Sequence, residues 1–396
     1  MASKPTKTFF NRQKEGSQKK ANIVSNYFWI WSKTLVRKLR PGQYLQFFDL
    51  YAGAGRYVDG NASTPLLILE KVVRDEQLRE NVKLIFNEKK KANYKALLEE
   101  INSFPGVETL KYTPVIYNEE VGGGNIENML LDKQLMPTLL FADPFGYKGL
   151  STDLFTTVLR QYGCEIIFFF NYRRINAAIS NKVFEPHMEM LFGQERAKRL
   201  RAEVTFRTEY DAELGETITE PVSPKDRELI LVSGMRSAFS DGFYPQKVHT
   251  QEFQVKTHTG GRTSHYLMFI TKNAFAFGKM TEVMAKQSSQ HIQGVASLGY
   301  NPKHAQLDMF LSTPERGPLD ELMDELAKFY AGQSLVFEKL FREHQLIAKR
   351  FTFANYREAL LRLEKNGIIS VSREEERRVI KDVLTLPEDC VVTFAK

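Results

Sequence analysis

Cysteine is scarce in this sequence: the 396 residues include only Cys164 and Cys390. Two cysteines so far apart cannot supply a Cys-based zinc site or a disulfide framework. Signatures of other enzyme classes are also missing, because the sequence contains no HExxH, no Walker loop and no GxSxG. The seven histidines are scattered without metal-ligand spacing. We therefore expect two buried thiols in a reducing, cytoplasmic compartment and no resident metal.

Long apolar runs are missing as well. The most apolar short run covers residues 166–170, which suits a buried strand and is too short to span a membrane. The N-terminal residues are polar and charged, without the apolar centre of a signal peptide. The sequence therefore predicts no membrane partner.

Positive charge is concentrated at one end of the chain. Residues 1–40 contain ten lysines and arginines but one acid, so this segment carries +9 while the whole chain carries +7. A local positive field attracts polyanions by displacing their counterions. We expect a mobile polar arm up to residue 18 and a helix over 19–40. The segment is a candidate nucleic-acid contact, although a solvated arm has the same composition.

Strand and helix patterns alternate along the first half of the chain. Helices are expected over 65–80, 90–102, 125–134 and 151–161, and strands over 44–51, 83–87, 108–117, 138–142 and 165–170. Two later strands flank a glycine turn at 258–262. This alternation is typical of an α/β, Rossmann-like sheet that is mostly parallel, with a terminal antiparallel hairpin.

A glycine loop follows the first strand, and we interpret it as a cofactor site. The strand ends at Asp49, and the loop contains Tyr51, Gly53 and Gly55. Glycine lets the backbone turn tightly and approach a ligand, while an acid at the strand tip can take a cationic amino group directly or through water. These features favour S-adenosylmethionine and the class I methyltransferase fold. A nicotinamide-binding loop needs a third glycine at the position of Val58.

The next two strands add candidate cofactor ligands. Glu88 follows the second strand, where a carboxylate can accept hydrogen bonds from both ribose hydroxyls. The same residue can instead cap the helix over 90–102. Asn118 follows the third strand and is expected near the adenine from its position alone.

A second motif, Asp143-Pro144-Phe145-Gly146-Tyr147, follows the fourth strand. An exocyclic base amine is a poor nucleophile, and the Asp143 carboxylate and the Pro144 backbone carbonyl can hold its two N–H bonds in a reactive orientation. Phe145 or Tyr147 can stack on the base. We therefore predict catalytic roles for residues 143–145 and a substrate-binding role for Tyr147. The alternative is an ordinary Asp-Pro turn that caps the next helix.

The fifth strand leads into a third group of polar residues, Asn171, Arg173 and Arg174. They face the same crevice in the predicted sheet. The arginines can hold a phosphate beside a flipped base, or they can be solvated charges at a helix start. We include all three among the candidate substrate-binding residues.

The composition changes again near Pro314. Helices at 334–343 and 353–366, followed by strands at 367–371 and 379–385, resemble a small α+β winged helix. The predicted domains are a basic arm and helix (1–40), a methyltransferase-like domain (41–312, with a helical insertion at about 174–245) and a winged-helix-like domain (320–396).

The order of these motifs resembles the three-Cys-motif partner (TcmP) family, a bacterial and phage group with a methyltransferase-like fold. The resemblance covers roughly residues 20–300 and depends on segments 48–57, 64–66, 141–146 and 169–171. Family members commonly have Gly-Ser-Pro before the first helix, where this chain has Ser63-Thr64-Pro65. The family name implies a protein partner encoded nearby, and the resemblance implies no substrate.

Together these features predict an S-adenosylmethionine-dependent methyltransferase that modifies an exocyclic base amine in DNA or RNA. Two alternatives stay open. The chain can be a binding module for nucleic acid or a protein partner that keeps the pocket without turnover. It can also be a methyltransferase for a small molecule or a protein.

Overall fold

The structure is a computed structural model, and it describes residues 7–131, 135–144, 146–147, 149–211, 216–257, 261–303, 316–372, 377, 379–380 and 383–396. The chain forms two compact units. The first contains most of residues 14–272, and the second contains most of residues 273–396. The domain boundaries that the sequence analysis proposes stay a prediction.

A twisted sheet forms the centre of the first unit. The strands of this unit are β1 (Leu45–Asp49), β2 (Val82–Asn87), β3 (Val115–Tyr117), β4 (Thr138–Ala142), β5 (Glu165–Phe170), β6 (Phe206–Asp211), β7 (Glu216–Pro221), β8 (His249–Lys256) and β9 (Thr263–Thr271). The order within the central sheet is β8-β9-β5-β4-β1-β2-β3, while β6 and β7 pair with each other in a separate hairpin. The pairs formed by β1 to β5 are parallel, whereas β9 is antiparallel to β5. This order confirms the predicted class I methyltransferase sheet, and the turn before β9 lies partly outside the described residues.

Helices accompany the sheet at each crossover. They are α1 (Lys7–Leu35), α2 (Thr64–Arg74), α3 (Glu76–Asn81), α4 (Lys91–Asn102), α5 (Asn125–Leu130), α6 (Thr152–Arg160), α7 (Tyr172–Ala178), α8 (Glu185–Phe192), α9 (Gln194–Glu203) and α10 (Pro224–Asp241). Short 3-10 turns lie at Val36–Lys38, Val107–Thr109 and Lys182–Phe184. Both faces of the central strands are covered, so consecutive residues such as Phe47 and Phe48 are both buried.

The first helix differs from its prediction. It begins at Lys7, so the residues from 7 to 18 that were expected to be mobile are helical. Tyr27, Phe28 and Trp31 are buried, and the Trp31 indole donates a hydrogen bond to the carbonyl oxygen of Gly163 at 3.1 Å. Burial of three aromatic side chains stabilises this contact by several kcal/mol in total, about 1.5–3 kcal/mol for each. The second half of α1 is therefore part of the sheet unit.

Two other elements also differ from the prediction. β3 covers only Val115–Tyr117 and not 108–117, because Val107–Thr109 forms a 3-10 turn. The insertion at 174–245 is helical in α7 to α10, but it also contains the antiparallel hairpin of β6 and β7.

The second unit is built around a small antiparallel sheet. Its helices are α11 (Ala274–Gln287), α12 (Pro318–Phe329), α13 (Phe337–His344) and α14 (Phe353–Lys365). Its strands are β10 (His291–Ile292), β11 (Val295–Ala296), β12 (Gly299–Tyr300), β13 (Ser334–Val336), β14 (Ile369–Val371), β15 (Val379–Ile380), β16 (Val383–Leu384) and β17 (Val391–Phe394). β17 pairs with both β13 and β14, and α12, α13 and α14 pack into one core with this sheet. The predicted winged helix is confirmed, although residues 334–336 form a strand and not the start of a helix.

The described part of the chain also bears on the cysteines, on membrane spans and on metal-ligand groups. Both cysteines are free and buried. In the described ranges, no helix is long and apolar enough to cross a membrane, and no group of three or more His, Cys, Asp or Glu residues is placed to hold a metal ion.

Glu165 is a buried carboxyl group at the start of β5. Tyr27 from α1 and Thr271 from β9 both donate hydrogen bonds to it. Burial raises the pKa of Glu165 from 4.5 to about 7, and the two hydrogen bonds limit the rise. The unfolded carboxyl ionises at the lower pH, whereas the folded one keeps its proton until about pH 7.

We expect Glu165 to contribute stability at low pH that is lost as pH rises through its folded pKa. Glu165→Gln removes the ionisable group. It should abolish a fall of roughly 2–3 kcal/mol in the free energy of unfolding between about pH 5 and pH 8. Urea denaturation of wild type and variant at both pH values measures this difference. Equal pH dependence in the two proteins would contradict the expectation.

Candidate active site

Three acids come together at one edge of the sheet. Asp49 is the last residue of β1, while Glu88 and Asp143 directly follow β2 and β4. These strands are parallel neighbours, so their carboxyl ends lie at the same edge. Burial raises the pKa of Asp49 to about 8, the backbone N–H of Tyr51 and the charge of Lys20 oppose the rise, and the two other acids add to it. A cation bound at this edge would therefore stabilise the ionised form of Asp49.

The glycine loop is attached to Glu88. The backbone N–H groups of Gly53 and Lys90 donate to the two carboxylate oxygens, at 3.0 and 2.7 Å. Gly53 and Gly55 have φ angles of +71° and +85°, which favour glycine. A Cβ atom at Gly55 would lie 3.2 Å from a methyl group of Leu97, whereas one at Gly53 would meet no atom within 4 Å. A side chain at Gly55 would thus crowd α4, and the space beside Gly53 is open to a ligand.

Two residues that the sequence analysis did not assign hold this loop in place. The Asn87 amide donates to the carbonyl oxygens of Leu50 and Glu119, at 3.1 and 3.2 Å, and its oxygen accepts from the Glu119 backbone N–H. The Ser63 hydroxyl donates to the Gly55 carbonyl oxygen at 2.8 Å and does not cap α2. The feature of the sequence that could have revealed this role is the polar Asn87 at the end of an otherwise mostly apolar strand.

A cavity of about 660 Å³ lies at this edge of the sheet. Its size is within the range of roughly 300–1,000 Å³ that is typical of small-molecule sites. Five of the predicted site residues line it: Tyr51, Glu88, Pro144, Tyr147 and Arg174. Residues from the cofactor motif and from the acceptor motif therefore face one space.

Tyr147 forms part of the apolar wall of this cavity. It is buried, and its ring packs at 6.0 and 5.9 Å from the rings of Phe184 and His187. Burial raises the pKa of Tyr147, and Arg174 opposes the rise. Tyr147 and Arg174 both line the cavity, so both can contact the same bound group.

Other predicted residues do not line the described cavity. Asn118 is exposed and donates to the carbonyl oxygens of Glu88 and Lys89, at 2.6 and 3.0 Å. Asn171 caps α7, because its side chain accepts from the Arg174 backbone N–H. Arg173 is exposed. Asp49, Gly53, Gly55 and Asp143 lie at the same edge of the sheet but not on the cavity lining.

Phe145, which the sequence analysis assigned to the acceptor site, lies outside the described residues.

Lys20 of α1 reaches the acceptor motif, which the sequence analysis did not predict. Its ammonium group pairs with the Asp143 carboxylate and lies 4.8 Å from the centroid of the Phe169 ring. His265 stacks on the same ring at 4.1 Å, and burial together with Lys20 lowers the pKa of His265 to about 3. Helical spacing was the available signal, since Lys20 lies on the same inward face of α1 as Tyr27 and Trp31.

Comparison with known proteins recognises one part of the chain. Residues 299–376 match the model of the GMT-like wHTH domain, which agrees with the winged helix of the second unit. The sequence matches none of the curated proteins that were compared.

Among solved structures, the chain is similar to the glycopeptide N-methyltransferase MtfA complexed with sinefungin. The identity is 11%, over 61% of this chain and 86% of that chain, with a TM-score of 0.29. It is also similar to a Legionella pneumophila protein of the family model DUF519, with 11% identity, coverage of 67% and 90%, and a TM-score of 0.34. The assignment of the fold depends on the strand order of the central sheet.

Asn87 and Asn118 form a matched pair for testing the loop framework. Asn87→Ala removes the partner of one buried and two partly buried backbone groups and should lower the free energy of unfolding by about 2–3 kcal/mol. Asn118→Ala removes hydrogen bonds at an exposed position, where water replaces them, and should cost less than about 1 kcal/mol. Urea denaturation measures both, and equal losses would show that Asn87 is not the tie between these loops.

Proposed function

We propose that this protein is a methyltransferase that uses S-adenosylmethionine and modifies an exocyclic amine of a nucleic-acid base. The observation that carries the proposal is the shared cavity, which Glu88 of the cofactor motif and Pro144 of the acceptor motif both line. Methyl transfer needs the cofactor and the acceptor next to each other. Membership of the TcmP family, with a protein partner, belongs to the same proposal.

The residues at the edge of the sheet fit this cofactor. The Asp49 carboxylate is buried beside two other acids, so a cationic amino group would stabilise its ionised form. Each Glu88 oxygen accepts one backbone N–H and keeps lone-pair capacity for a ribose hydroxyl. The open space beside Gly53 admits a ligand close to the backbone. When bound, S-adenosylmethionine supplies a methyl group on a sulfonium sulfur.

The acceptor motif suits an amine better than a hydroxyl. The Asp143 carboxylate and the Pro144 backbone carbonyl offer two acceptors on adjacent residues, which match the two N–H bonds of an exocyclic amine. Held in this way, the nitrogen lone pair can be aimed at the methyl group. The methylated nitrogen then loses a proton to the carboxylate or to solvent. Tyr147 supplies an aromatic surface beside this position.

A nucleic-acid substrate is supported by exposed cations at the cavity and by the second unit. Lys89, Lys90 and Arg174 are exposed and line the cavity, where cations can contact phosphates. The winged helix belongs to the helix-turn-helix architectures that bind duplexes, although such domains also bind proteins. Glu88, Glu119 and Glu120 also line the cavity, and Lys89 pairs with Glu120, so the lining carries no net positive charge. The support for nucleic acid therefore comes from individual cations such as Arg174 and from the winged helix.

Alanine substitutions at two acids should separate the cofactor function from the acceptor function. Asp143→Ala should reduce methyl transfer at least about 100-fold, because it removes one of the two acceptors that orient the amine. It should leave cofactor binding largely intact. Asp49→Ala should instead weaken cofactor binding at least about tenfold, because it removes the charged partner of the amino group.

Calorimetric titration with S-adenosylmethionine and tritium transfer to DNA, tRNA and ribosomal RNA measure the two effects. S-adenosylhomocysteine is the matched control ligand for binding. Unchanged turnover of Asp143→Ala would contradict the assignment. Wild-type protein that binds the cofactor and transfers no methyl group would favour a binding module.

Arg174 and Arg173 offer a test of the nucleic-acid substrate. Arg174 lines the cavity and Arg173 does not, although both are exposed at the start of α7. Arg174→Gln should weaken oligonucleotide binding and lower the slope of log affinity against log salt by about one, as for the loss of one phosphate contact. Fluorescence anisotropy at several salt concentrations measures the slope. An equal effect of Arg173→Gln would contradict a specific contact at Arg174.

A further inference from the structure

Lys20 places a positive charge inside the proposed acceptor site. Its side chain is only 14% exposed, and that of Asp143 is 22% exposed. The ammonium group is held from one side by the Oδ2 atom of Asp143 and from another by the face of Phe169, at 4.8 Å from the ring centroid. Withdrawing a lysine from water is unfavourable unless such partners compensate. Asp143 and Phe169 therefore provide the compensating contacts that hold the Lys20 ammonium group in place.

The charged and titratable groups around Lys20 come from several different elements. Asp49 is the last residue of β1, and Asp143 directly follows β4. Tyr57 belongs to the glycine loop, and His265 lies on β9. Burial lowers the pKa of Lys20, but Asp143, Tyr57 and Asp49 raise it by more. Lys20 thus remains an ammonium group at neutral pH and shares its field between the two acids.

We propose that Lys20 is a positioning residue of the proposed methyl transfer. It holds Asp143 through Oδ2, so that Oδ1 can accept a hydrogen bond from the amine that is methylated. This inference rests on the proposed function. A carboxylate at a strand end can rotate about its side-chain bonds, and every competing rotamer removes its acceptor from the amine. A fixed counter-ion reduces this freedom before the substrate binds.

The same ion pair also attaches α1 to the sheet, so a merely structural role must be distinguished. Lys33 provides the matched control on the same helix. It pairs with Asp75 at 2.9 Å and donates to Gln77 at 2.7 Å, in contacts outside the glycine loop and the acceptor motif. Lys33→Met therefore removes an ion pair of α1 and leaves the acceptor motif intact.

The kinetic test compares Lys20→Met, Lys20→Arg and Lys33→Met in the full-length protein. We expect Lys20→Met to lower kcat about 100-fold, as for a misplaced catalytic group. Lys20→Arg keeps the charge and should recover most of that loss, while Lys33→Met should resemble wild type. KM for the nucleic acid should change much less than kcat.

A second readout uses the pH dependence of cofactor binding. Affinity should rise from about pH 6 to pH 7 as Asp49 begins to ionise, below the range in which an α-amino group loses its proton, since the pKa of Asp49 is about 8. Lys20→Met removes a positive charge that lowers this pKa, so the rise should move to higher pH. Lys20→Arg and Lys33→Met should leave it in place. Calorimetric titration across this pH range measures the shift.

A third readout tests the contact without cofactor or substrate. Acylation of Lys20 by an activated ester, followed by mass spectrometry, should be slow in wild type and faster in Asp143→Ala. Equal acylation rates would overturn the ion pair and with it the proposal. This measurement also covers the case in which Lys20→Met does not fold.

The outcomes separate this inference from the proposed function. Wild-type protein without cofactor binding or transfer would overturn the proposed function and, with it, the role of Lys20. An active wild type with Lys20→Met as active as Lys33→Met would overturn the role of Lys20 alone. A gain of activity in Lys20→Met would also overturn it, because Lys20 would then obstruct the acceptor position.

Discussion

The constraint on which the site depends is the cost of negative charge at the carboxyl edge of the sheet. Asp49 is buried, and Asp143 and Glu88 add their charges to its surroundings. Carboxylates in a low-dielectric environment repel each other and need cations or hydrogen-bond donors. Within the described chain, Lys20 supplies the cation for Asp143, and backbone N–H groups supply the donors for Glu88 and Asp49.

This constraint explains why the first helix packs on the sheet. Its aromatic residues anchor it to the core through Phe47 and Phe269, and Tyr27 also meets the buried Glu165. With these anchors in place, the same face of the helix delivers Lys20 to Asp143. A segment whose composition suggests a solvated basic arm thus becomes part of the electrostatics of the site.

The loop framework depends on hydrogen bonds of a different kind. Asn87 and Glu88 are neighbours in the chain, and between them they bind the glycine loop and the loops that follow β2 and β3. Five backbone groups are satisfied by two side chains at a place where strands end and sheet partners stop. These hydrogen bonds hold the cavity wall in a defined arrangement, and a preorganised wall favours recognition of a defined ligand.

The sequence by itself determined the alternation of strands and helices, the glycine loop, the Asp-Pro motif and the winged helix, because these depend on local periodicity and turn chemistry. The strand order then placed Asp49, Glu88 and Asp143 at one edge. Only the tertiary structure decided that Lys20 pairs with Asp143, that Asn87 ties the loops after β1 and β3, and that Asn118 and Asn171 serve the backbone and not the cavity. Such contacts join residues up to 123 positions apart in the chain, and no local pattern specifies which long-range partners a polar side chain will meet.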